Sequence, residues 1–135
     1  MNAKHLVLLG LAMVAVSVPA SESMAKAAPV LILADETQNG KSFDLTSYQC
    51  LIVQLLAQTD GGYDWKETAD STPLLKLESN FSIPTSQLLG APSEHIFIFC
   101  PAGTGKGLLK LEESRPWEKN TPPAETFSVE VKIGK

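Results

Sequence analysis

The stretch Glu113-Ser114-Arg115-Pro116-Trp117-Glu118 sits between two runs with a two-residue hydrophobic period. Upstream, Leu109 and Leu111 alternate with Lys110 and Glu112; downstream, Phe127, Val129, Val131 and Ile133 alternate with Ser128, Glu130 and Lys132. Successive side chains of a strand point to opposite faces, so this alternation predicts two half-buried strands. Pro116 has a fixed φ and no N–H, and Pro122-Pro123 keeps the return limb out of a regular sheet. The connection is therefore a prominent loop carrying an arginine and a tryptophan, side chains enriched where proteins bind one another. The sequence leaves a second reading open, in which Trp117 folds back as a lid on the core.

Outward from this loop, the length of 135 residues allows one domain and a leader. Residues 1–20 read as a signal peptide: Lys4 and His5, an apolar run from Leu6 to Val16, then Pro19-Ala20, with cuts after Ala25 or Ala27 also acceptable. The apolar run is too short for a spanning helix, and no cysteine follows it to carry a lipid. The domain expected over 28–135 is then periplasmic or secreted, off the membrane once the leader is removed. Loss of Lys4 takes the net charge from −4 to −5. A mildly acidic chain without a basic stripe has no electrostatic reason to bind nucleic acid.

Along the chain, short apolar runs at Val30–Leu33, Phe43–Leu45, Tyr48–Ala57, Tyr63–Trp65, Leu74–Leu77 and Ile96–Phe99 are punctuated by Asn39-Gly40, Gly61-Gly62, Asn80, Pro84, Gly90-Ala91-Pro92-Ser93 and the glycine-rich stretch from Pro101 to Gly107. Helical periodicity is confined to the leader, apart from room for one turn over Ser86–Leu89. Seven to eight short strands at this spacing predict an all-β, immunoglobulin-like sandwich. Its core would hold Leu51, Val53, Leu55, Trp65, Leu77, Phe97, Phe99, Leu109, Leu111, Phe127, Val129 and Val131. With runs 48–57, 63–68, 74–79, 95–100, 107–113 and 126–133 in that topology, the turns at 58–63, about 88–94 and 114–120 share one end.

Those turns resemble the chagasin family of inhibitors of papain-like cysteine peptidases. That family carries Asn-Pro-Thr-Thr-Gly-Tyr-x-Trp in the first turn, Gly-x-Gly-Gly in the second and Arg-Pro-Trp in the third. Here the third is intact at Arg115-Pro116-Trp117, the first remains as Gly62-Tyr63-Asp64-Trp65, and the second as Gly90 with Ala91 and a proline. The likeness spans roughly residues 40–133, with all motifs in the family's order. It implies reversible inhibition by a wedge of three loops, contacting a peptidase through Thr59, Asp60, Gly61, Gly62, Gly90, Ala91, Arg115 and Trp117. Tyr63, Trp65 and Pro116 would support the loops. Gln58-Thr59-Asp60-Gly61 replaces the family's Asn-Pro-Thr-Thr, which alters the tip nearest the catalytic centre. The implied protein is a monomer that needs no cofactor. An alternative is a non-inhibitory extracytoplasmic module of the same fold, using this loop end for another protein or a sugar.

The remaining chemistry-bearing residues point elsewhere than catalysis. Ala102-Gly103-Thr104-Gly105-Lys106-Gly107 lacks the first glycine and the hydroxyl of a phosphate loop, and a strand rather than a helix follows; it reads as a hairpin connection. His95, the one histidine after the leader, and Cys100 fall on opposite faces of a strand, so they cannot form a dyad. Cys50, Cys100 and His95 lack zinc-ligand spacing, and the acidic residues match no calcium loop, so no metal is expected. Cys50 and Cys100, the only cysteines, can form a cross-strand disulfide on an outer face or stand as separate half-buried thiols.

Overall fold

The computed structural model describes residues 28–58 and 61–135. The expected leader, at 1–20 or extending to 27, lies outside the described residues. Eight strands follow in order: β1 (Val30–Asp35), β2 (Ser42–Thr46), β3 (Gln49–Ala57), β4 (Asp64–Glu67), β5 (Leu75–Pro84), β6 (Ser93–Pro101), β7 (Gly105–Ser114) and β8 (Glu125–Gly134). They form two four-stranded sheets, β1-β3-β6-β5 and β2-β8-β7-β4. β1 runs parallel to β3 and β2 parallel to β8; every other neighbour is antiparallel. The architecture is the all-β, immunoglobulin-like sandwich that the alternation predicts.

The core lies between the inner faces, where β3 contributes Leu51, Val53 and Leu55, and β6 contributes Phe97 and Phe99. Leu109, Leu111, Phe127, Val129 and Val131 oppose them from the other sheet. Ala34, Leu45, Leu75 and Ile133 complete this core, while Leu77 is only half-buried and packs at its margin. Ile96 and Ile98 are apolar too, so alternation alone does not fix the phase of β6. Inward His95, Phe97 and Phe99 settle it and turn both isoleucines outward.

Three local expectations need correction. The strand predicted to stop at Asn80 continues to Pro84, with a register shift between Leu77 and Ser79. It can do so because β5 is an edge strand, and a final proline there forfeits no ladder bond. Ser86–Leu89 forms bends and a turn, not a helical turn. The stretch after Pro101 is not a hairpin: β6 and β7 belong to different sheets, so residues 102–104 carry the chain across the sandwich.

Cys50 and Cys100 stand side by side on the outer face of β3 and β6, and the structure joins them as a disulfide with a Cα–Cα distance of 4.3 Å. The bond closes a loop with a sequence separation of 50 residues. Chain-entropy arguments assign such a loop about 4 kcal/mol of stabilisation. Urea denaturation with and without reductant should show a loss of that order, and the Cys50→Ala/Cys100→Ala variant should match the reduced protein.

Candidate functional site

Strand register brings the three predicted loops to one end. In the first sheet, Ala57 at the end of β3 and Pro84 at the end of β5 both pair with Ser93 at the start of β6. In the second, Asp64 pairs with Ser114, and Glu113 with Glu125. The loops 58–63, 85–92 and 115–124 leave the sandwich from these pairs.

Three bonds bind the two sheets together directly beneath the loops. The Trp65 indole N–H donates to the Leu56 carbonyl at 2.7 Å, while its ring is buried in the core. The backbone N–H of Gln58, at the root of the first loop, donates to Glu113 Oε2 at 3.1 Å. His95 Nδ1 lies 2.7 Å from Asp64 Oδ1, its Nε2 3.2 Å from Asn80 Oδ1, and its ring stacks on Phe97. The histidine is thus a buried tie between β6 and β4, and Cys100 on the opposite face is consumed by the disulfide.

Above this clasp, the first and third loops merge. Gly62 has a φ of +82°, and a Cβ built there would run into the Trp117 six-membered ring. Only glycine meets both conditions, the left-handed backbone and the close approach. Trp117 turns the edge of its six-membered ring onto Gly62 and keeps 63% of its surface exposed, so it is not a lid on the core. Beside it, the Arg115 guanidinium sits 4.4 Å from the Tyr63 ring centroid and 6.0 Å from that of Trp117. Cation–π stacking of this kind holds Arg115 across both loops. Glu118 N–H closes a turn on the Arg115 carbonyl at 3.0 Å, which presents exposed Pro116 and Trp117 at its crest.

The second loop is separately braced. Thr85 N–H and Oγ1 both donate to the Pro92 carbonyl, at 3.1 and 2.7 Å, cinching its base. Ala91 N–H donates to the Leu88 carbonyl at 3.2 Å, with Gly90 at φ +78° in the position where a tight turn requires a left-handed residue. The crest consists of Leu88 and Leu89, both strongly exposed. Alternation and the turn signals do not single out this pair. Two leucines set just before Gly-Ala-Pro, outside any alternating run, were the signal available.

Of the residues implied to meet a partner, Gly61, Gly62, Gly90, Ala91, Arg115 and Trp117 are at this end, with Tyr63, Trp65 and Pro116 around them. Thr59 and Asp60 lie outside the described residues. Among the described residues, Glu113 is the one buried carboxylate of the site. Burial pushes its pKa up, with Glu125 and Asp64 adding to the rise, while the Gln58 N–H opposes it. No group of side chains suited to hold a metal ion occurs among the described residues.

Residues 44–131 match the chagasin family of peptidase inhibitors, family I42. No curated sequence matches the chain. Among solved structures, it is similar to the cysteine protease inhibitor EhICP2 of Entamoeba histolytica, at TM-score 0.67 and 22% identity over 80% of this chain and 99% of that one. It is also similar to amebosin, at TM-score 0.63 and 20% identity over 78% and 98% of the two chains. PbICP-C, solved in complex with falcipain-2, gives a TM-score of 0.52 and 17% identity over 77% and 98%. At these identities the structural likenesses establish the fold.

Two outcomes follow from the geometry. Gly62→Ala should displace the Trp117 ring, visible as a shifted indole N–H resonance, and destabilise the domain by about 1–2 kcal/mol in urea melts. Glu113 binds its proton more tightly folded than unfolded, so its favourable contribution exists in acid and is lost as pH rises through the folded pKa. Glu113→Gln, which keeps an acceptor for Gln58, should therefore be more stable than the parent at neutral pH. That advantage should vanish below the ordinary glutamate value of 4.5.

Proposed function

The chain belongs to the chagasin family of peptidase inhibitors, and from that premise we propose that it reversibly inhibits papain-like cysteine peptidases by filling their active-site cleft with the loops around Gly62, Gly90 and Trp117. The observation that carries this reading is the contact of Gly62 with Trp117, which makes one ridge of two loops distant in sequence. A ridge already assembled on a cross-braced sandwich loses little ordering entropy when it docks. Glycine backbone at 61–62 and at 90 lets the main chain approach an enzyme wall closely.

The roles follow from position. The first loop is assigned the deepest contact, through Gly61 and Gly62 and through Thr59 and Asp60, which precede them in the sequence; Asp60 would bring a carboxylate to that contact. Trp117 offers its exposed face to an aromatic or apolar wall of the cleft. Leu88 and Leu89 offer a second apolar contact from the neighbouring loop, with Gly90 and Ala91 supplying main chain. Arg115, stacked on Tyr63, holds the ridge in shape while its outer edge faces the partner. Inhibition of this kind is occlusion: no bond is made or cut, and the inhibitor needs no nucleophile or cofactor. The contact should bury on the order of 1,600 Å² in total. Export by the leader would place inhibitor and target together outside the cytoplasm, in the periplasm or beyond.

Titration into papain and into a cathepsin should give reversible inhibition with the inhibitor uncleaved. Trp117→Ala should weaken it by about 2 kcal/mol, roughly thirtyfold in the inhibition constant. Lys132→Ala, on β8 away from the loop end, should leave it unchanged. Absence of inhibition by the parent at micromolar concentration would contradict the proposal and favour a module that binds another extracytoplasmic protein or a sugar.

A further inference from the structure

The two outer faces of the sandwich differ in chemistry. On the β2-β8-β7-β4 sheet, Lys106 pairs with Lys132, Leu108 with Glu130, Lys110 with Ser128 and Glu112 with Thr126, a polar surface relieved by one leucine. On the β1-β3-β6-β5 sheet, the outward rows are mostly hydrocarbon. Leu31, Leu33, Leu56, Phe81 and Ile83 are each 45–56% exposed. Register sets them around a floor of Ile52, Ile96 and Ile98, for Leu33 pairs with Ile52, Ile52 with Ile98, and Phe81 with Ile96. Single exposed apolar residues need no explanation, but a contiguous sheet face of them does.

We propose that this face is a homodimer interface, packed sheet on sheet against a second copy about a two-fold axis perpendicular to the strands. Two observations select a second copy. The first is area. Four strands at about 4.8 Å and four outward rows give a face of roughly 19 by 27 Å. With side-chain relief that is on the order of 700 Å², close to the ~800 Å² each partner brings to a stable interface. The second is charge. Lys76, opposite Cys100, stands at the end of the face remote from the loops, and Glu94, opposite Leu56, at the loop end. Reversing strand direction between copies brings each Lys76 beside the other copy's Glu94. A two-fold axis along the strands would leave both charges against leucines. Gln54 already donates to one Glu94 oxygen, which orients the carboxylate; the other accepts no hydrogen bond among the described residues.

This arrangement has a consequence for the loops. Because the strands run in opposite directions, the two loop ends project from opposite poles, and both copies can engage a partner at once. The inference does not depend on what the loops bind. It replaces the monomer expected from the sequence, in which all of this hydrocarbon would stay in water.

Sedimentation velocity of the leader-processed protein from about 1 to 100 µM should give twice the monomer mass, with a dissociation constant in the micromolar range or below. Leu33→Glu/Phe81→Glu should sediment as a monomer while keeping the parent's near-ultraviolet circular dichroism. Lys76→Glu should raise the dissociation constant about tenfold, and adding Glu94→Lys in the same chain should restore it. A monomer at ~100 µM would overturn the proposal, as would a dimer that neither set of substitutions moves. A monomer that floats with phosphatidylglycerol vesicles would also overturn it and assign the face to lipid.

Discussion

The absence of a side chain at position 62 is the constraint on which the loop end depends. A left-handed glycine lets the edge of the Trp117 ring reach the main chain of a loop more than fifty residues away in sequence. Beside that ring Arg115 stacks over Tyr63, so the described residues of the two loops pack as one body. A tryptophan held by one edge and otherwise open suits recognition: its area is available, and its rotamer is already fixed.

The ridge would be of little use on a yielding base. Trp65 serves both purposes, filling the core with its ring and spanning the sheets through its indole N–H. Glu113 and His95 add polar ties at the same level. Such ties have a cost, since a carboxylate and an imidazole are buried to make them, and Glu113 carries it as a raised pKa. Placing that cost at the loop end, and not along the rest of the sandwich, is consistent with a domain in which positioning outranks stability there.

Much of this was legible in the residues. The strands of β3, β7 and β8 are written in their alternation, and Gly62, Trp65, Arg115 and Trp117 stood out by type and order. What was hidden needed pairing across the fold. β5 looked finished at Asn80 because a bulge breaks its period and its edge position tolerates Pro84. The ties from Glu113 and His95 join residues far apart in sequence, and neither type is diagnostic in a strand. Leu88 and Leu89 are not legible as a crest because exposed leucines in a turn have the same letters as buried ones. The apolar outer face escaped for a related reason: Ile96 and Ile98 blurred the phase of β6, and only its register shows them sharing a surface with Leu33 and Phe81.

A rigid end that plugs a cleft and a separate flat face that pairs with its like would divide the molecule's surface by shape as well as by chemistry. The convex end suits a groove, and the sheet suits another sheet. The most direct test of the first is amide hydrogen exchange of the protein alone and bound to papain. The account predicts new protection confined to the segments around Gly62, Leu88–Ala91 and Arg115–Glu118. Protection at the opposite end of the strands, with those three segments exchanging as in the free protein, would contradict it.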